Sequence, residues 1–135
     1  HRWEVVIEQD RLQGLLRDNG GLELGAVLAL RPQRRGPSGR IVELAIEGSE
    51  RTAVVGKELE IRRLLADSHL YSSAFTVRAE GRGPVPQRFV LRGAGWGHGV
   101  GLCQIGAAVM ADRGHDHEAI LAHYYRGTAL TELFE

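Results

Sequence analysis

The sequence predicts an α+β fold: short antiparallel strands and hairpins with several short helices, two of them near the C-terminus. Three observations lead there. Apolar residues alternate with period two in several short stretches, such as Trp3, Val5 and Ile7. Leucines recur at helical spacing in others, such as Leu12, Leu15 and Leu16. The two kinds of stretch do not alternate regularly, which argues against a βαβ sheet.

The chain has 135 residues, enough for one domain with one core. Lys and Arg number 17, as do Asp and Glu, so the net charge is zero. That balance offers no global pull toward nucleic acid or an anionic membrane. No apolar run is long enough to span a bilayer. One cysteine excludes an internal disulfide and a cysteine-built metal site. The chain begins with His and carries no signal pattern, so it reads as a piece of a longer protein.

His1 to Glu8 is expected as the first strand. Gln9 to Asn19 is expected as a helix, capped by Asp10 and closed by Asn19-Gly20. Gly25 to Leu30 is a short apolar strand. Residues 31–40 then hold four arginines among turn formers, Arg31, Arg34, Arg35 and Arg40. We read them as a solvated hairpin loop; a loop gripping carboxylates or phosphates is the alternative. Ile41 to Ile46 completes that hairpin, and Thr52 to Val55 is another strand. Gly56 to Ala66 reads as a helix burying Leu59, Ile61, Leu64 and Leu65. Phe75 to Ala79 and Arg88 to Arg92 are strands joined by turn formers at 80–86.

From Gly93 to Gly101 every second residue is glycine. If extended, this run bares its backbone on one face and presents Ala94, Trp96, His98 and Val100 on the other. Gly95, Gly97, Gly99 and Gly101 then allow a ligand to approach the backbone closely. Trp96 supplies a flat surface for a sugar ring. His98 supplies a donor and an acceptor near neutral pH. The run enters a helix over Leu102 to Arg113, with Leu102, Ile105, Val109 and Met110 as its apolar stripe and Gly114 at its close. Asp116 caps a second helix, His117 to Arg126, closed by Gly127, with Ile120, Leu121 and Tyr124 facing inward. Thr128 to Phe134 is a last strand.

Several residues here bear chemistry. Cys103 at a helix start with His98 as base would make a thiol nucleophile; packing as a small apolar residue is the stronger reading. His98, Cys103, His115, His117 and His123 supply zinc-type ligands, yet their spacing matches no standard finger. No cofactor is expected, with zinc on His98 and Cys103 as the alternative. Glu118 lies in a helix's first turn, where it offsets the dipole. Tyr124 and Tyr125 point about 100° apart on a helix, so one can pack while the other reaches a cleft.

The run from Gly95 through Ala107, followed by Met110-Ala111, Gly114, Ile120-Leu121 and His123-Tyr124-Tyr125-Arg126-Gly127-Thr128, closely resembles the C-terminal signature of the SpoIID/LytB family. Weaker resemblance continues through Ser38-Gly39-Arg40, Val55-Gly56, Ile61-Arg62 and Leu70 to Phe75. The resemblance implies a bacterial cell-envelope location and a lytic transglycosylase of peptidoglycan glycan strands stripped of stem peptides. In such a reaction an acid protonates the leaving oxygen, and the muramic acid 6-hydroxyl closes an anhydro ring in place of water. It further implies that Trp96, His98, Gln104, Tyr124 and Tyr125 line the glycan cleft. A non-catalytic module that holds glycan or enhances a cell-wall amidase is the alternative. The family's catalytic glutamate sits in an N-terminal motif that no glutamate here matches. The chain alone is therefore expected to be inactive, as the C-terminal part of the family's domain. Cys103 also departs from the family, where serine is common.

Overall fold

The computed structural model describes residues 1–99 and 101–131. They fall in two compact units, His1–His98 and Gly99–Glu135.

The first unit holds two three-stranded antiparallel sheets. In one, β1 (Arg2–Glu8) and β5 (Phe75–Glu80) flank β6 (Arg88–Ala94). Its register places Trp3 opposite Gly93, Val5 opposite Leu91 and Ile7 opposite Phe89. Period-two alternation therefore sends Trp3, Ile7, Phe89, Leu91 and Phe75 into the core. The other face carries cross-strand ion pairs, Arg92 Nε to Glu4 at 2.7 Å and Arg88 Nε to Glu8 at 3.2 Å.

The second sheet has the order β2 (Val27–Arg35), β3 (Ile41–Gly48), β4 (Thr52–Gly56). The hairpin expected between the first two is present. However, β2 runs on through Arg35, where a loop was expected from Arg31. Pro32 lacks an N–H and argues for a break, but β2 is an edge strand, where a missing donor is tolerated. The register also shifts between Pro32 and Arg34. The turn shrinks to 36–40, closed by Gly36 N–H to Arg40 O at 2.8 Å.

Helix α1 (Gln9–Gly20) follows β1 directly and buries Leu12, Leu15 and Leu16. Asp10 does not cap it. Glu8 holds the cap position without a side-chain bond, because the strand passes straight into the helix and places Asp10 in the first turn. Gln9 acts instead as a clamp. Its Nε2 donates to Val27 O and Pro86 O, and its Oε1 accepts from Val27 N–H, each at 2.8 Å.

Helix α2 (Glu58–Leu64) is shorter than expected. It buries Ile61 and Leu64, whereas Leu59 is exposed and Arg62 is buried. Arg62 takes that place because its charge is paired there. Its Nε donates to Leu70 O at 2.8 Å, and Glu58 lies 3.4 Å from Nη1. Leu70 N–H returns a bond to Arg62 O at 3.0 Å. This exchange fixes the segment that leads to Tyr71. Helix α2 packs on β3 and β4, and α1 on β1, β2 and α2.

The second unit holds α3 (Gln104–Asp112) and α4 (His117–Tyr124), packed on each other. Helix α3 begins two residues later than expected, because Cys103 takes the N-cap: its Sγ accepts from Gly106 N–H at 3.4 Å. The expected apolar stripe is not an inner face. Ile105 is 79% exposed, and Val109 is exposed as well. Asp116 caps α4 as expected, accepting from Ala119 N–H at 2.8 Å. That helix stops at Tyr124, before the expected Arg126. Residues 128–131 are not strand, and the rest of the expected last strand lies outside the described residues. No helix among the described residues is long and apolar enough to cross a membrane. The fold is α+β.

Candidate functional site

The site is built at the end of β6. Trp3 lies across Gly93, and a Cβ there would fall within the indole. Only glycine lets the ring close over the strand. From Gly95 the chain leaves the sheet. The run does not stay extended, because Gly95 (φ +82°) and Gly97 (φ +76°) are left-handed. Alternating glycine thus marks alternating left-handed positions, and the expected two-faced ribbon is not formed. Val100 lies outside the described residues.

This turn is tied down on both sides of Trp96. Ala94 N–H donates to Ala74 O at 2.9 Å, Gly95 N–H to His1 O at 2.8 Å and Gly97 N–H to Tyr71 O at 2.7 Å. Ser72 Oγ donates to Ala94 O at 2.7 Å. Arg40 reaches from the β2–β3 turn to donate through Nε to Gly97 O at 3.1 Å and through Nη2 to Trp96 O at 3.4 Å. Three separate segments therefore hold the backbone around Trp96.

The indole they hold is 67% exposed. Its ring centre lies 5.0 Å from Tyr71 and 5.3 Å from His1. Tyr71 is in turn 5.8 Å from Trp3, and Trp3 is 6.0 Å from Phe75. A column of aromatic rings thus climbs from the core to solvent and ends in Trp96. Such tilted pairs favour each other beyond their area. A large apolar ring held in water by a fixed backbone is preorganised for a flat apolar partner.

His98 is an exposed residue of the same unit, two positions past Trp96. Gly99 begins the second unit, which also holds Gly101, Cys103, Gln104, Tyr124 and Tyr125. Gln104 is exposed in the first turn of α3. Tyr124 Oη lies against Gly106, where a Cβ would overlap it, and the Tyr125 ring lies 3.4 Å from a Cβ built on Gly101. Both tyrosines are half-buried and pack within the α3–α4 pair. Cys103 is an exposed free thiol, so it does not pack as an apolar residue. Among the described residues no three His, Cys, Asp or Glu group as metal ligands would. Glu118 is exposed in the first turn of α4.

Sequence reasoning did not assign His1, Trp3, Tyr71 or Arg40 to the site. Tyr71 and Arg40 both lie in stretches that resemble the family, but nothing in their spacing joins them to Trp96. The four arginines of residues 31–40 serve different ends. Arg31 and Arg34 pair with Glu47 and Glu43 of β3, at 2.7 and 3.3 Å. Arg35 donates to Gly39 O and Phe75 O, and Arg40 holds the glycine turn.

Comparison with known proteins finds a family and several relatives. A family model described as "Domain of unknown function (DUF8618)" matches residues 1–101, which covers the first unit and the whole aromatic column. The "Amidase enhancer" of Bacillus subtilis is 33% identical over 72 residues, 53% of this chain and 10% of that protein. "Stage II sporulation protein D" of Bacillus amyloliquefaciens is 37% identical over 82 residues, 60% of this chain and 22% of that protein. The protein of the same name in Bacillus subtilis is 35% identical over the same length and shares. The chain thus spans between 10% and 22% of the length of these relatives. The chain belongs to the family described as Domain of unknown function (DUF8618), and these relatives identify it as a member of the SpoIID/LytB family whose signature its glycine run resembles.

Proposed function

We propose that this chain is the glycan-holding part of a bacterial cell-wall protein, and that its parent is a lytic transglycosylase of denuded peptidoglycan strands. The observation that carries this reading is the exposed indole of Trp96, set against Tyr71 and His1 by hydrogen bonds to the backbone of residues 95–97. A pyranose ring has one apolar C–H face, and an indole fixed in advance binds it without a further cost of ordering. His98 supplies polar contacts in the same unit, and the second unit's own glycan contacts are assigned to Gln104, Tyr124 and Tyr125. The acid that protonates the leaving oxygen is assigned outside this chain, since no glutamate here matches the family's motif. The parent would work in the cell envelope.

The amidase-enhancing module is the second reading, favoured by the name of the Bacillus subtilis relative. Product analysis separates the two. The parent and the chain are incubated separately with denuded strands, and the products are read by mass spectrometry. Anhydro-muramic ends from the parent alone support the transglycosylase. Strand binding without such ends, combined with stimulation of an amidase, supports the module. Anhydro ends from the isolated chain would contradict an external acid and make Glu118 the first residue to test.

A further inference from the structure

The geometry points to an oxyanion site in the first unit: an open cleft of about 700 Å³ that takes a carboxylate or a phosphate through Arg2, assisted by Arg35 and Arg92. Three arginines line this cleft against one acidic residue, Glu4. Arg92 meets Glu4 through Nε alone, at 2.7 Å, one of the five donors a guanidinium carries. Arg35 is fixed on the cleft wall by two neutral acceptors, Gly39 O at 2.8 Å and Phe75 O at 2.7 Å, so its charge is uncompensated. Arg2 pairs with Ala94 through its backbone, and its guanidinium makes no hydrogen bond or ion pair to any described residue. The cleft therefore holds two positive charges in excess.

Small residues stand among the linings. Ala74 and Ala94 leave room for a ligand to reach the arginines. Arginine suits planar oxyanions because its fork matches two oxygens at once. Charges that merely blunt a sheet edge would explain Arg2 on β1. They do not explain Arg92, which stands on the central strand. The cleft also includes Trp3, the ring beneath Tyr71 in the aromatic column.

The oxyanion has two sources in a cell wall. One is the lactyl carboxylate of muramic acid, freed when the stem peptide is removed; this source rests on the glycan reading above. The other is the phosphate of an anionic wall polymer. The first arm of the test is independent of glycan. Acetate and inorganic phosphate are titrated into the chain at constant ionic strength and followed through backbone amide shifts. Saturating shifts confined to Arg2, Thr76, Arg92 and Ala94 are expected. Arg2→Ala should weaken them about tenfold, the worth of one charge-assisted bond. Arg82→Ala, an exposed arginine outside the cleft, should leave them unchanged. Shifts that never saturate, or that Arg2→Ala does not weaken, overturn the proposal.

In the second arm, binding is compared for denuded strands and for the same strands with lactyl groups converted to methyl amides. A preference for the acidic strands that Arg2→Ala abolishes assigns the carboxylate. Saturation by phosphate but not by acetate, with both strands bound equally, supports the site and assigns the phosphate source. Loss of strand binding in Trp96→Ala alone leaves the glycan reading standing whatever the cleft does.

Discussion

Replacing Gly93 with alanine tests the aromatic column at its base. The new Cβ would overlap the Trp3 indole, so the ring must leave its seat or the strand must bend. Trp3 is only 8% exposed. Full loss of its burial, about 150–250 Å² at about 25 cal/mol per Å², sets an upper limit of about 4–6 kcal/mol. Forcing an extra methyl into a packed core commonly costs about 1–3 kcal/mol. Because the obstacle is a rigid ring over backbone, we expect a loss of about 2–4 kcal/mol. Urea unfolding followed by far-UV circular dichroism measures it. The decisive comparison is a double-mutant cycle. With Trp3→Ala already in place the indole no longer opposes the new methyl, and Gly93→Ala should then cost under about 0.5 kcal/mol. An equal cost in both backgrounds would refute the reasoning, because the penalty would then come from the backbone and not from the ring.

Other substitutions probe single features. Gln9→Ala leaves Val27 N–H, Val27 O and Pro86 O without their partner; a loss of about 2–3 kcal/mol is expected in the same urea assay, and a loss under about 0.5 kcal/mol would dismiss the clamp. Lys57 precedes α2 with φ +68°, the one left-handed non-glycine position among the described residues. Lys57→Gly should raise stability by about 1 kcal/mol, since relief of strain outweighs the added freedom of the unfolded chain, and a lower melting temperature would contradict this. Gly106→Ala has opposite signs by propensity and by packing. Helix propensity alone would stabilise α3 by about 1 kcal/mol, but the methyl would strike Tyr124 Oη. Faster hydrogen exchange in α3 and α4 is expected, and slower exchange would show that Tyr124 is not held against Gly106.

Much of the fold was legible in the sequence because period-two alternation is a direct print of burial. Trp3, Ile7, Phe89 and Leu91 occupy the core as the alternation predicts. The misreadings share a cause: a residue's local pattern lost to a tertiary partner. Pro32 reads as a strand end, yet β2 passes through it at a sheet edge. Leu59 looks like core at helical spacing, but Arg62 takes the buried place because Glu58 pairs its charge and Leu70 O accepts its Nε–H. Alternating glycines resemble an extended ribbon in sequence, and only the sign of φ tells that they are turns. Of the site, Trp96 was legible as an exposed candidate from its glycine neighbours. The rings beneath it were not. Tyr71 and Trp3 are distant in sequence, and the contacts that join them arise only when β1, β5 and β6 pair.

The central claim is that Trp96 receives a glycan. The chain has only two tryptophans, so a nitrogen–proton correlation spectrum holds two indole signals, which Trp96→Ala assigns. Denuded glycan strands are then titrated in. The account predicts that the Trp96 signal moves and saturates while that of the buried Trp3 stays nearly still. A stationary Trp96 signal with strands bound would contradict it and place the glycan elsewhere on the chain.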